Sequence, residues 1–385
     1  MPQLSTRLDG FTDSVIRRMT RICIKYGGIN LSQGFPDFDP PKEITDRLKK
    51  VANEGPHQYS VTWGAQNFRE SLAKKQEKYM GIHINPDENI VVTCGSTEAM
   101  MTAMMSVCNP GDKVIVFSPF YENYTADTIL SGAEPIYVQL KPPYFNFDKD
   151  ELRRAFTQRP KALILCNPSN PTGKVFSREE LEYISSLAIE FDTFVITDEV
   201  YEHIVFPPYK HTYIASLDGM AERTISCSSL SKTYSITGWR LGYVIADKKI
   251  IEQCKKVHDF LTVGAAAPLQ EAAVAGLDFD DTYYEDLTKL YDRKRKLFLG
   301  GLDEIGLKYF EPQGAYYVMV DISQFGFDND YDFAVWLIKN IGVAGVPGSS
   351  FFREDVNSYI RFHFAKKDET LKEALKRLQK LKEYI

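Results

Sequence analysis

Ala162-Leu163-Ile164-Leu165-Cys166-Asn167-Pro168-Ser169-Asn170-Pro171-Thr172-Gly173 joins five apolar residues to a turn that holds two prolines and a glycine. A run with no polar interruption suits a strand covered on both faces, and the turn behind it is a strong loop signal. Working outward, runs of the same texture recur at Ile90-Thr93, Lys113-Phe117, Pro135-Val138, Phe194-Thr197, Thr224-Cys227 and Leu241-Ala246, with helix-like stretches between them. That alternation predicts an α/β domain with a mostly parallel seven-stranded sheet between helices. Beyond Ala246 the chain turns to charged helical stretches around Asp281-Leu302 and Asp368-Tyr384. The second spaces Leu371, Ala374, Leu375, Leu378 and Leu381 as an apolar stripe that is expected to pack into a core. The expected organisation is a large domain over residues 45–280 and a smaller α+β domain made of the N-terminal segment 1–44 and residues 281–385.

Composition narrows the function. The chain has 385 residues, 44% hydrophobic and 25% charged, enough for a sizeable core. A formal net charge of -6 with no basic stripe argues against a nucleic-acid partner. The six cysteines (Cys23, Cys94, Cys108, Cys166, Cys227, Cys254) are scattered and form no Cys-x-x-Cys pair, so free thiols and a reducing compartment are expected. No His/Cys or His/carboxylate cluster has metal-ligand spacing, so no metal is expected. Met1 to Arg18 is polar and mixed in charge, unlike a secretory signal, and no stretch has membrane-spanning length. A cytoplasmic protein without a membrane partner is the expectation.

Ligands of open parallel sheets bind at the carboxyl ends of strands. There, Ile90-Thr93 leads into Cys94-Gly95-Ser96-Thr97-Glu98-Ala99, whose backbone N–H groups would suit a phosphate, although a plain helix cap at Ser96 or Thr97 explains it as well. Tyr121 follows Lys113-Phe117, Asn170 follows Ala162-Cys166, Asp198-Glu199-Val200-Tyr201 closes Phe194-Thr197, and Ser229 and Lys232 follow Thr224-Cys227, with Arg240 beyond. Alone, Asp198 would be a helix cap, Lys232 a solvated lysine and Tyr121 a core aromatic. Together, five strand ends deliver polar or aromatic groups to one edge. An amine able to form an imine, a carboxylate able to pair with a heterocyclic N–H and a phosphate site meet the needs of pyridoxal 5'-phosphate. The carboxylate would keep the ring nitrogen protonated, and nearby cations such as Arg240 would lower the amine's pKa.

Gly95-Ser96-Thr97-Glu98-Ala99, Asn170-Pro171-Thr172-Gly173, Asp198-Glu199-Val200-Tyr201, Ser229-Leu230-Ser231-Lys232 and Gly238-Trp239-Arg240-Leu241-Gly242 resemble motifs of the class I/II aminotransferases. So do Gln33-Gly34-Phe35-Pro36-Asp37-Phe38 and Ile360-Arg361-Phe362, and the likeness spans nearly the whole chain in the family's order. The resemblance implies the type I fold of pyridoxal-phosphate-dependent transferases and a ping-pong transfer of nitrogen from an L-amino acid to a 2-oxo acid. It implies Lys232 as the Schiff-base lysine and proton carrier, Asp198 on the ring nitrogen, Tyr201 and Asn170 on the phenolic oxygen, and Tyr121 and Val200 on the two ring faces. Gly95, Ser96, Thr97, Ser229 and Arg240 would hold the phosphate, joined by Tyr59 of a neighbouring subunit in a homodimer. Arg361 would clamp the substrate α-carboxylate, with Gly34 and Asn170 beside it; on its own Arg361 would be a surface ion pair.

The stretch around Gly34 and Asp198 looks closest to the kynurenine, glutamine and methionine branch, which implies a neutral or aromatic substrate. Several aspartate-using relatives place a Lys where this chain has Thr97, which counts against an acidic one. Phe35, Tyr124 and Tyr234 would line an apolar side-chain pocket, or simply pack. Aspartate transamination and a cysteine-conjugate β-lyase reaction are the enzymatic alternatives. A non-catalytic cofactor-binding module is the remote one.

Overall fold

The computed structural model describes residues 2, 4–9, 11 and 13–384, so Met1 and Ile385, the outer limits of the expected smaller domain, lie outside the described residues. Strand β1 (Ile29–Asn30) precedes eight strands that share one sheet: β2 (Ile90–Thr93), β3 (Lys113–Ser118), β4 (Glu134–Lys141), β5 (Asn146–Phe147), β6 (Ala162–Cys166), β7 (Phe194–Asp198), β8 (Thr224–Ser229) and β9 (Gly242–Ile245). Their order is β2-β9-β8-β7-β6-β3-β4-β5. All seven expected strands are present within a few residues of their expected limits. The eighth, β5, corrects the seven-stranded expectation: it pairs antiparallel with the end of β4 through Leu140 and Phe147. Two residues beyond Pro142-Pro143 are too short to show any alternation in sequence.

Burial on both faces explains the unbroken apolar runs. Val114 and Val116 of β3 pack with Ala162 and Ile164 of β6 on one face, while Ile115 and Phe117 join Leu163 and Leu165 on the other. The strands β3, β4, β6, β7 and β8 pair in parallel; β9 runs against both β8 and β2. The chain moves outward from β3 to β4, then returns past β3 to build β6, β7 and β8 on the other side. Between β3 and β6 the direction of winding therefore reverses, and loops on either side of that point open a crevice.

The later part carries β10 (Lys308–Phe310), β11 (Tyr317–Asp321), β12 (Val343–Ala344), β13 (Val346–Pro347) and β14 (Tyr359–His363). Four of them form an antiparallel sheet ordered β10-β11-β14-β13. β12 instead pairs in parallel with β1, which ties the N-terminal segment to this part of the molecule. The helix Asp281–Ile305 starts where the Asp280 side chain accepts from the Thr282 N–H and stops at Gly306 in the left-handed region. On the last α-helix, Asp368–Leu378, and the 3₁₀ turn after it, the stripe Leu371, Ala374, Leu375, Leu378 and Leu381 is buried in the same core, as expected. No helix among the described residues is long and apolar enough to cross a membrane.

Candidate active site

One cavity of about 940 Å³ opens at the carboxyl edge of the large sheet, walled by Lys232, Asp198, Asn170, Tyr201, Val200, Tyr121, Ser96, Thr97, Ser229, Arg240, Gly34 and Arg361 among others. The strand registers explain the convergence. Cys166 lies beside Asp198, and Asp198 beside Cys227, so β6 and β7 end level and β8 runs on to Ser229 at the same edge.

The turn after β2 is built for close approach. Gly95 has φ 83 and caps the helix Ser96–Val107 without any side-chain bond, so the expected alternative of a Ser96 or Thr97 cap is not what the chain adopts. A Cβ on Gly95 would fall 2.3 Å from a guanidinium nitrogen of Arg240, and one on Gly242 would fall 2.4 Å from the Gly95 carbonyl carbon. Only glycine at both places lets Arg240 and the start of β9 press on the turn. Arg240 itself has φ 55 and donates from Nη1 to the Thr237 carbonyl at 3.1 Å. Free helix N–H groups, two hydroxyls and a guanidinium form a cradle suited to a phosphate dianion.

Lys232 sits in the short helix Leu230–Thr233, where its Nζ donates to the Gly34 carbonyl at 3.1 Å. Burial pushes its pKa down to about 8, opposed by Asp198 and reinforced by Arg240 and Arg361. The sequence expectation gave that effect to neighbouring cations; desolvation is the larger cause. Asp198 ends β7, accepts from the Tyr124 hydroxyl at 2.7 Å and caps no helix. Burial raises its pKa, while Tyr124, the Val200 N–H and Lys232 pull it back.

Arg361 is 1% exposed, which overturns the surface-ion-pair alternative. Its guanidinium donates to the Asn170 side-chain oxygen at 2.6 Å and the Ser32 carbonyl at 2.8 Å, and its Nε has no partner. The rings of Tyr317 and Phe351 lie 4.2 and 4.5 Å from its carbon. A buried cation held only by neutral oxygens is incomplete without an anion. Gly34 is held tightly beside it, for a Cβ there would lie 2.1 Å from the Tyr317 hydroxyl oxygen.

Three aromatic expectations separate. Phe35 lines the cavity, with the Lys366 ammonium 4.2 Å from its ring centre. Tyr124 serves Asp198 instead, and Tyr234 is fully buried in the core, bonded to the Tyr284 hydroxyl at 2.8 Å. Tyr59, 86% exposed, is not among the cavity's walls. The reading of the sequence missed Tyr317, whose hydroxyl lies 2.9 Å from that of Tyr201, and Asp127, buried on the cavity wall with one oxygen unpartnered. Tyr317 gave no signal, since β11 reads as plain core; Asp127, two residues before Ile129-Leu130, was the one acidic residue of the short helix Asn123–Leu130.

Fold and site together define a type I transferase architecture with a lysine, an aspartate and an anion cradle in one cleft. The family model described as "Aminotransferase class I and II" matches residues 26–378. A probable N-succinyldiaminopimelate aminotransferase of Mycobacterium tuberculosis is 35% identical, with 98% of each chain covered. Its solved structure superposes with a TM-score of 0.95 over 98% of this chain and 100% of that one. The methionine aminotransferase of Escherichia coli is 35% identical over 99% of this chain and 97% of that one. An aspartate aminotransferase of Pyrococcus abyssi is 36% identical over 98% of each. The chain belongs to the class I/II aminotransferases. It is an enzyme that transfers amino groups, in a family that works with pyridoxal phosphate.

Proposed function

We propose that the chain transfers nitrogen from a neutral or aromatic L-amino acid to a 2-oxo acid, using pyridoxal 5'-phosphate held by Lys232. The observation that carries this reading is the cavity itself: Lys232, Asp198, the uncapped turn at Gly95 and an Arg361 without an anionic partner wall one space. When bound, the cofactor supplies an aldehyde carbon and a protonated ring that draws electrons from the substrate Cα–H bond. Lys232, whose pKa burial lowers to about 8, is the amine that would hold the cofactor through its aldehyde carbon and, once released, would carry the proton from the substrate Cα. Asp198, whose carboxylate accepts from the Tyr124 hydroxyl, would pair with the ring nitrogen and hold the proton there. Asn170 and Tyr201 would bond the ring oxygen, Tyr121 and Val200 would bracket the ring, and Ser96, Thr97, Ser229 and Arg240 on the cavity wall, with the Gly95 turn behind them, would hold the phosphate. Arg361 fixes the substrate carboxylate as a planar two-donor fork, with Gly34 and Asn170 closing on it.

Ile16, Phe35 and Tyr121 on the cavity wall favour an apolar side chain, and the charged residues Arg17 and Glu122 on the same wall are of opposite sign. A panel of amino acids scored by bleaching of the cofactor colour tests this choice, with Lys232→Ala as the control. Neutral and aromatic donors are expected to react fastest, and the variant to keep its circular dichroism and lose the half-reaction. Faster bleaching by aspartate, or normal turnover by the variant, contradicts the respective assignment.

The working unit we infer is a homodimer in which Tyr59 reaches the partner's phosphate. Tyr59, Val61, Phe260, Leu261 and Val263 are exposed apolar side chains, and Leu261 lines the cavity. The Thr62 carbonyl lies 3.4 Å from where a Cβ on Gly264 would fall, so the two segments come together where a second copy would cover them. The pairing of β1 with β12 supports a smaller domain of residues 1–44 and 281–385 beside a large domain of 45–280. Six free cysteines, five of them buried, favour the cytoplasm, which cell fractionation tests.

A further inference from the structure

Behind the phosphate turn lies a charge pair that none of the roles above uses. Glu98, in the first turn of the helix Ser96–Val107, accepts from the Cys94 N–H at 2.5 Å through one oxygen. Its other oxygen meets His258 Nδ1 at 2.6 Å and accepts from the Thr262 hydroxyl at 2.8 Å. The second nitrogen of His258, Nε2, faces the Thr62 carbonyl at 2.9 Å. A neutral imidazole donates from one nitrogen only, whereas here both face acceptors. A carboxylate and a carbonyl cannot both be satisfied unless His258 carries two protons.

We propose that His258 is a positioning residue, a buried imidazolium that cancels the charge of Glu98 and so lets the turn at Gly95–Thr97 receive a phosphate dianion. The inference rests on the reading of that turn as the cofactor's phosphate site. Glu98 is needed structurally, because it holds the Cys94 N–H and with it the bend that opens the helix end. Left uncompensated, its charge in the first turn would occupy the same positive helix end that the phosphate uses and repel the incoming anion. His258 is fully buried and Glu98 nearly so, so water screens the repulsion poorly. The other charged groups around the pair do not replace His258: Asp259, on the same helix, is exposed and acidic, and Arg240 already faces the turn from the far side. Burial alone would lower the pKa of His258 and raise that of Glu98, yet their mutual bond drives both the opposite way, His258 up and Glu98 down. The Thr62 contact adds a second consequence. The imidazolium clasps the loop that follows Tyr59 and fixes it to the helix Lys248–Thr262, at the rim of the site.

The test measures equilibrium binding of pyridoxal 5'-phosphate and of pyridoxal, which lacks the phosphate, to apoprotein carrying His258→Gln, Glu98→Gln or both. In the native protein the phosphate ester should bind much more tightly than pyridoxal. His258→Gln should shrink that preference about tenfold, the size expected for losing a charged hydrogen-bonded partner, and the double variant should restore it. A native protein with no preference for the ester would refute the phosphate-site reading itself. A native preference that His258→Gln leaves unchanged, or that the double variant fails to restore, would overturn the role of His258 alone. Nitrogen NMR of the native apoprotein at neutral pH gives an independent check: both ring nitrogens should be protonated, and a single-proton tautomer would refute the imidazolium.

Discussion

At the residue scale, the chemistry of the site is one of groups whose ordinary states are displaced by burial. Lys232 is the useful case, and Asp127 is the costly one. Burial, and then the charge of Asp198, push Asp127 up to about 8. A carboxyl whose folded pKa exceeds its unfolded value binds more protons folded than unfolded between those two values, so stability falls as pH rises through that window. Asp127→Asn removes the penalty without changing shape. The apoprotein variant should therefore match the native protein near pH 4 and gain on it progressively up to about pH 8, with the difference level beyond. Melting temperatures across that range decide it, and a constant difference would mean that Asp127 does not titrate as its surroundings dictate. The site's outline was legible because its members stand at strand ends: Asp198 closes the apolar run of β7, and Asn170 and Lys232 follow the ends of β6 and β8 in the next turn of chain. Tyr317 and Glu98 were not assigned roles, because their partners Tyr201 and His258 lie far away along the chain, and no local pattern records such contacts.

At the element scale, placement depends on how closely backbone segments approach. β9 runs beside the phosphate turn, and a Cβ at Gly242 would meet Gly95 backbone, which cannot swing aside as a side chain can. Gly242→Ala should cost about 1–3 kcal/mol of stability, as overpacking does, and should weaken cofactor binding while the sheet persists. Urea unfolding followed by cofactor titration would reveal this, and unchanged affinity would show that β9 and the turn are not coupled. The same scale explains what the sequence did and did not give away. Strands such as β6 and β7 are buried on both faces and announce themselves by composition. β5, β12 and β13 have two residues each, too few for a composition or alternation to mark them, and exist through pairing, β5 with the end of β4 and β12 with the distant β1.

At the scale of the whole molecule, the cleft lies where the N-terminal segment, the large sheet and the antiparallel sheet meet. Gly34, Lys232 and Arg361 come from those three places and face one cavity. Beside Leu261, which lines the cavity, Phe260 is 94% exposed. Phe260→Asp should convert a dimer into monomers and lower cofactor affinity together, as read by light scattering and absorbance. A dimer that survives with full affinity would place the contact elsewhere. The central claim is that one amine, on Lys232, holds the cofactor. It is tested most directly by reducing the cofactor-loaded protein with borohydride, digesting it and locating the added mass. The account predicts the label on the peptide carrying Lys232 and on no other; a label on a different lysine, or none, would contradict it.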